Sequence, residues 1–246
     1  MLETFIFGLI ASSSLLIGGI IGIWMPIGKR MLGIVMAFGA GVLISAVSYE
    51  LVLDAVRLAY KTGAVGLGIF AGAFTFYFAD MWISKAGASN RKAIEGSLQS
   101  RLIVPIVLAI VLDGIPETTV IGLSVLKDGS VSIAILVAVF ISNLPEAVAS
   151  TTGMKAGGWS AQKILLLWLL IGLTCAAAAP IGYALVGDAS PFWVALIEAF
   201  AAGAILMMLA NTMMPEAYEH GGKLAGIFTV LGFAASVLVV LLERAG

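Results

Sequence analysis

A chain of 246 residues with 61% hydrophobic and 11% charged side chains, a net charge of −1 and a mean hydropathy of +1.12 is far more apolar than a soluble domain, which runs at about 45–50% apolar and about 25% charged. Polar surface cannot cover that much hydrocarbon, so the chain reads as an all-α polytopic membrane protein with spans of about 20 residues each. Its apolar runs are continuous, which argues against a β-barrel. No basic cluster offers itself to nucleic acid, and one cysteine, Cys175, leaves neither an intramolecular disulfide nor a thiolate cluster.

Eight apolar segments follow in order, at about residues 4–27, 33–56, 64–84, 102–126, 130–154, 161–187, 191–214 and 222–242. The first is too long for a signal-peptide core and lacks a basic segment before it, so it reads as a retained span. Most connections are short, and neighbouring spans are expected to be antiparallel. The longest polar connection, 85–101, reads as a cytoplasmic loop, with residues 1–246 forming a single transmembrane domain. Loops after spans one, three, five and seven hold nine of the 13 Lys and Arg residues. Basic residues mark the cytoplasmic side, so both termini are expected outside it, in a plasma (inner) membrane protein.

Two stretches repeat 29 positions apart: Asp113-Gly114-Ile115-Pro116-Glu117 in span four and Ser142-Asn143-Leu144-Pro145-Glu146 in span five. In each, a polar residue and a glutamate lie four apart, hence on one helix face. Each proline lacks an N–H for the carbonyl four residues earlier, Leu112 and Ile141, and is expected to loosen its helix there. A second repeat aligns Phe38-Gly39-Ala40-Gly41-Val42-Leu43 with Phe200-Ala201-Ala202-Gly203-Ala204-Ile205 at an offset of 162, which sets Glu50 on Thr212 and Asp54 on Glu216. The aligned spans are five apart, and an odd separation reverses the crossing direction. The pattern is therefore a 3+2+3 inverted repeat, the arrangement of transporters with a midplane site.

An ionised carboxylate within a span costs roughly 2.5 kcal/mol or more, and no Lys or Arg lies mid-span to offset it. Protons or a bound cation remain. Glu117 and Glu146 read as cation ligands, with Asp113 as a third carboxylate and Ser142 and Asn143 as neutral oxygen donors. Asn143 points about 100° away from Ser142 on a helical wheel and is expected in an adjacent site. A second tier comprises Glu50, Asp54, Asn211, Thr212 and Glu216 on spans two and seven. The methionines 207, 208, 213 and 214 and Cys175 read as packing.

These motifs resemble those of the ZIP family of divalent metal transporters, which carry metal ligands in Pro-Glu motifs on spans four and five. The Pro215-Glu216-Ala217 end of span seven is similar as well. The resemblance implies eight spans, external termini, a homodimer, and a four-helix unit moving against a scaffold. Carried over, the metal ligands are Asp113, Glu117, Ser142 and Glu146, with Asn143 neighbouring. Asp113 stands where the family has histidine, Gly114 where it has asparagine, Ser142 where it has histidine or glutamine, and Thr212 where some members have glutamate. The loop 85–101 has no histidine. Zinc favours nitrogen and sulfur ligands, whereas an all-oxygen site suits manganese, iron or another harder ion. The expected function is inward transport of a divalent transition-metal cation by alternating access, with no catalysis, no prosthetic group and no nucleotide loop. The alternatives are a transporter of another cation that uses the carboxylates as proton relays, and a non-transporting membrane metal sensor or scaffold.

Overall fold

The computed structural model describes residues 1–25, 27–85, 103–128, 131–186 and 189–245. Ten α-helices follow in chain order: α1 (Leu2–Trp24), α2 (Lys29–Ala46), α3 (Leu53–Leu58), α4 (Ala64–Lys85), α5 (Ile103–Asp128), α6 (Ile133–Ala156), α7 (Ala161–Val186), α8 (Pro191–Met208), α9 (Met214–Gly221) and α10 (Leu224–Ala245). π-Helical turns at Val47–Val52 and Leu209–Met213 join α2 to α3 and α8 to α9, so that eight continuous helices are long and apolar enough to cross a membrane. The protein is an all-helical, multi-pass membrane protein. Beyond Lys85, the expected loop 85–101 lies outside the described residues.

Local chemistry sets several ends. Met25 precedes Pro26 and is extended (φ −109°, ψ 123°), because proline disfavours the helical conformation in the residue before it. Pro191 opens α8 at its first turn, where a missing N–H has no cost. α9 stops at Gly222, whose φ of 61° only glycine adopts freely.

Helices α1, α5, α6 and α7 pack chiefly on one another; α2 and α3, with α4, α8, α9 and α10, form a second group. The groups meet where α2 lies on α6 and α5 lies on α8. Packing mirrors the sequence repeat. A Cβ on Gly41 of α2 would run into the Thr229 carbonyl of α10, and one on Gly203 of α8, 162 residues on, would run into the Ile69 carbonyl of α4. Likewise Gly232 meets the Phe38 carbonyl, and Gly72 meets the carbonyl of Phe200. Spans two and eight thus dock as spans seven and three do, through backbones that only glycine lets come so close.

One expectation is corrected here. Both α5 and α6 run unbroken through Pro116 and Pro145. The irregular turns lie in the partner spans instead, at Val47 and, 162 positions later, Leu209. Close glycine contact constrains α2 and α8 just before those turns, and a π turn re-phases the helix beyond it.

Candidate functional site

α5 and α6 present their motifs to each other inside the first helix group. Asp113 and Glu117 are 1% and 2% exposed; Ser142, Asn143 and Glu146 are equally enclosed. The two motifs touch. The Asn143 amide donates to Glu117 Oε2 at 3.1 Å, and the Ser142 hydroxyl lies 3.4 Å from both Glu117 oxygens. Ser142 has one proton to donate, shared between the Glu117 carboxylate and a closer acceptor, the Val139 carbonyl at 3.0 Å. A helical wheel gives the direction of Cβ, not the reach of an amide, and Ser142 and Asn143, neighbours on α6, both reach Glu117. Glu146, one turn beyond Ser142, shares its face of α6.

Gly114 has a structural reason to lack a side chain: a Cβ there would lie 2.6 Å from Cys175 Sγ on α7. The buried thiol therefore packs against the backbone of the first motif, and α7 is brought tight to α5 beside Asp113. Thr118 closes this turn by donating to the Gly114 carbonyl at 2.8 Å.

Between the two helix groups, a narrow cavity of about 10 Å³ borders Glu117, walled by Leu43, Ala46, Val47, Leu51 and Ile205 from the second group. That is close to the room needed for one water. Three of those walls belong to, or adjoin, the first π turn, which also carries the half-buried Glu50. In the second π turn Asn211 is exposed, and Thr212 donates its hydroxyl to the Met208 carbonyl of its own helix at 2.7 Å. Glu216 is half-buried in α9, where His220 Nδ1 lies 2.9 Å from its carbonyl. Among the described residues no three or more His, Cys, Asp or Glu side chains are clustered so as to hold a metal ion.

The sequence reading passed over one buried carboxylate. Glu198 is 1% exposed on α8, seven residues before the cavity-lining Ile205 and therefore on the same face two turns away. An acidic residue within an apolar span was itself the signal, hidden by closeness to the span's start.

No family model matches the chain. The protein named "Putative zinc transporter At3g08650", from Arabidopsis thaliana, is 22% identical over 231 residues, covering 92% of this chain. The chain in turn spans 37% of that relative's length.

Proposed function

We propose that the protein moves a divalent transition-metal cation, zinc or else iron or manganese, into the cytoplasm by alternating access. The observation that carries this reading is the Glu117 carboxylate, buried where two helix groups meet and contacted by the neutral hydroxyl of Ser142 and the amide of Asn143. Two oxygens bound to a tetrahedral zinc ion at about 2.1 Å lie about 3.4 Å apart. The Ser142 to Glu117 spacing has that value. Asp113 and Glu146, each one turn from a residue of this contact, complete an oxygen set after small rotations of α5 and α6. The similarity to a plant protein named for zinc transport supports the same reading.

In this mechanism the group α1, α5, α6 and α7 carries the ion and slides against α2, α4, α8 and α10. The cavity beside Glu117 opens toward alternate sides as it moves. Carboxylate ligands bind metal only when deprotonated, so metal entry releases protons and acid opposes uptake. Both termini face away from the cytoplasm, as the Lys and Arg distribution supports. Of the eight candidate spans, those in α4 and α10 are the least buried, 22% of an 18-residue stretch in each, and α4 shows the stacked Phe70, Phe74 and Phe78 outward. These faces meet lipid and, in a homodimer, a second copy.

The deciding experiment is metal flux into liposomes carrying wild type, Glu117→Gln or Glu146→Gln, with zinc, iron and manganese in competition. Loss of flux in both variants supports the site; variants that carry every ion as well as wild type would remove it. A second reading, a different cation moved with Glu117 as a proton relay, draws on the contacts of Glu117 with Ser142 and Asn143. It requires that no divalent metal raise the unfolding temperature of the detergent-solubilised protein.

A further inference from the structure

Where α2, α6 and α10 meet there is a second pocket, of about 60 Å³, bordered by Phe38, Val42, Ile141, Ser236 and Val239. It is several times the about 10–15 Å³ that one water occupies. Its walls are mostly apolar, with one exception, a serine that like Ser12, Ser45 and Ser150 in other spans has a buried hydroxyl without a partner among the described residues. Ser236 is 3% exposed, and its hydroxyl has no hydrogen-bond partner among the described residues. Serines and threonines such as Ser14, Thr118 and Ser124 bond back to a carbonyl three or four residues earlier. Ser236 does not.

A second polar group stands at the same pocket. Pro145 has no N–H for the Ile141 carbonyl. That oxygen faces α2, 3.3 Å from where a Cβ on Gly39 would lie, next to the pocket-lining Phe38. Ser236, with a buried hydroxyl, and Ile141, whose carbonyl has no N–H from Pro145, thus both line one space large enough for water. Two polar partners are the minimum that a buried water needs.

The inverted repeat supplies an internal control. Gly72 and Gly232 occupy equivalent places, and the same spacing of 160 sets Ser236 on Phe76. Phe76 is 2% exposed and fills the core, while Leu112 stands in the place of Ile141. One half of the molecule plugs with a phenyl ring the place that the other half leaves open beside a hydroxyl.

We propose that this pocket holds ordered water bridging the Ser236 hydroxyl and the Ile141 carbonyl, a wet seam between α6 and the α2 and α10 pair. Bridging water exchanges partners at low cost, whereas interlocked side chains do not, so the seam eases movement of α6 with Asn143 and Glu146. The water site stands on its own; its role in movement rests on the transport reading above.

The test is hydroxyl-radical footprinting of the full chain in detergent by X-ray radiolysis, which oxidises side chains beside ordered water, with Phe38 as the reporter. Phe38 should be oxidised in wild type, less so in Ser236→Ala, and not at all in Ser236→Phe, which copies the plug of the other half. Unoxidised Phe38 in wild type, or equal oxidation in all three proteins, overturns the water site. Ser236→Ala cannot clash, so it decides the matter if Ser236→Phe does not fold. In liposomes Ser236→Phe should slow metal flux while metal still raises its unfolding temperature; unchanged flux overturns the role in movement. Absence of flux in wild type would count against the transport reading and leave the footprinting result standing.

Discussion

The two halves of the molecule keep the same packing and differ in the groups that face its centre. Gly41 on Thr229 and Gly203 on Ile69 are one contact made twice, as are Gly232 on Phe38 and Gly72 on Phe200. Against that constancy, Asp113 answers to Ser142, Glu50 to Thr212, Met36 to Glu198 and Ser236 to Phe76. Backbone contacts through glycine cannot drift, because any Cβ enters a carbonyl. Polar positions can drift, and their drift turns a symmetric scaffold with two equivalent docking modes into a protein with one polar centre. Symmetry is a property of how the helices pack; asymmetry is a property of the side chains they turn inward.

The largest effect should come from the polar centre. Glu117→Gln keeps shape and removes charge, and because Glu117 is the group that both Ser142 and Asn143 contact, its loss should exceed the about 10–100-fold that removing a supporting partner costs. Metal flux into liposomes measures it. Should Glu146→Gln be silent while Glu117→Gln is dead, the two Pro-Glu motifs have unequal roles and the comparison sharpens.

Next come the glycines. Gly41→Val and Gly203→Val should each cost on the order of 3 kcal/mol by overpacking, and to the same extent. Loss of the monodisperse peak in size-exclusion chromatography reports it. Gly226→Ala, also in a span but with nothing within 4 Å of the added Cβ, should leave the peak intact. A chain that tolerates valine at one of the mirrored glycines and not at the other would break the equivalence of the halves.

Smaller again is Asn143→Ala. It removes the 3.1 Å bond to Glu117 without touching a charge, and should raise the metal concentration for half-maximal flux about 10–100-fold. No change would return Asn143 to the separate site that its helical angle suggests.

These residues also show what the sequence could convey. Spans are legible because 20 apolar residues have few other fates, and the inverted repeat is legible because glycine contacts preserve Gly41 and Gly203 at one spacing. The π turns are not legible. An i to i+5 turn arises from fitting one helix to its neighbour, and nothing in Val47–Val52 or Leu209–Met213 distinguishes them locally. Prolines misled for a related reason: a helix enclosed by neighbours can run through Pro145 and leave the carbonyl orphan to be met from outside. The contact of Asn143 with Glu117 was not legible because side-chain reach is a tertiary fact, and Glu198 was missed because depth in a membrane is not a position in a sequence.

The smallest predicted effect tests how the two halves close their ends. Glu243, at the tip of α10, accepts from the Ile133 N–H at 2.8 Å and the Ala134 N–H at 3.3 Å, and lies 3.4 Å from the Ser132 hydroxyl, capping the start of α6. Its counterpart at the spacing of 160 is Ile83 of α4, which packs on Ala109 of α5. One half ties α6 with a carboxylate at its N-terminus; the other ties α5 with an apolar contact. Glu243 is exposed, so its charge acts on the helix dipole through screened solvent, and Glu243→Gln should cost about 0.3–1 kcal/mol at low ionic strength. The difference from wild type in thermal unfolding should vanish in high salt. Ile83→Val, a lost methylene in a packed contact, should cost about 0.5–1.5 kcal/mol regardless of salt. A Glu243→Gln effect that ignores salt would mean that the cap acts through hydrogen-bond geometry and not charge, and that both ends of the repeat are held by short-range contacts alone.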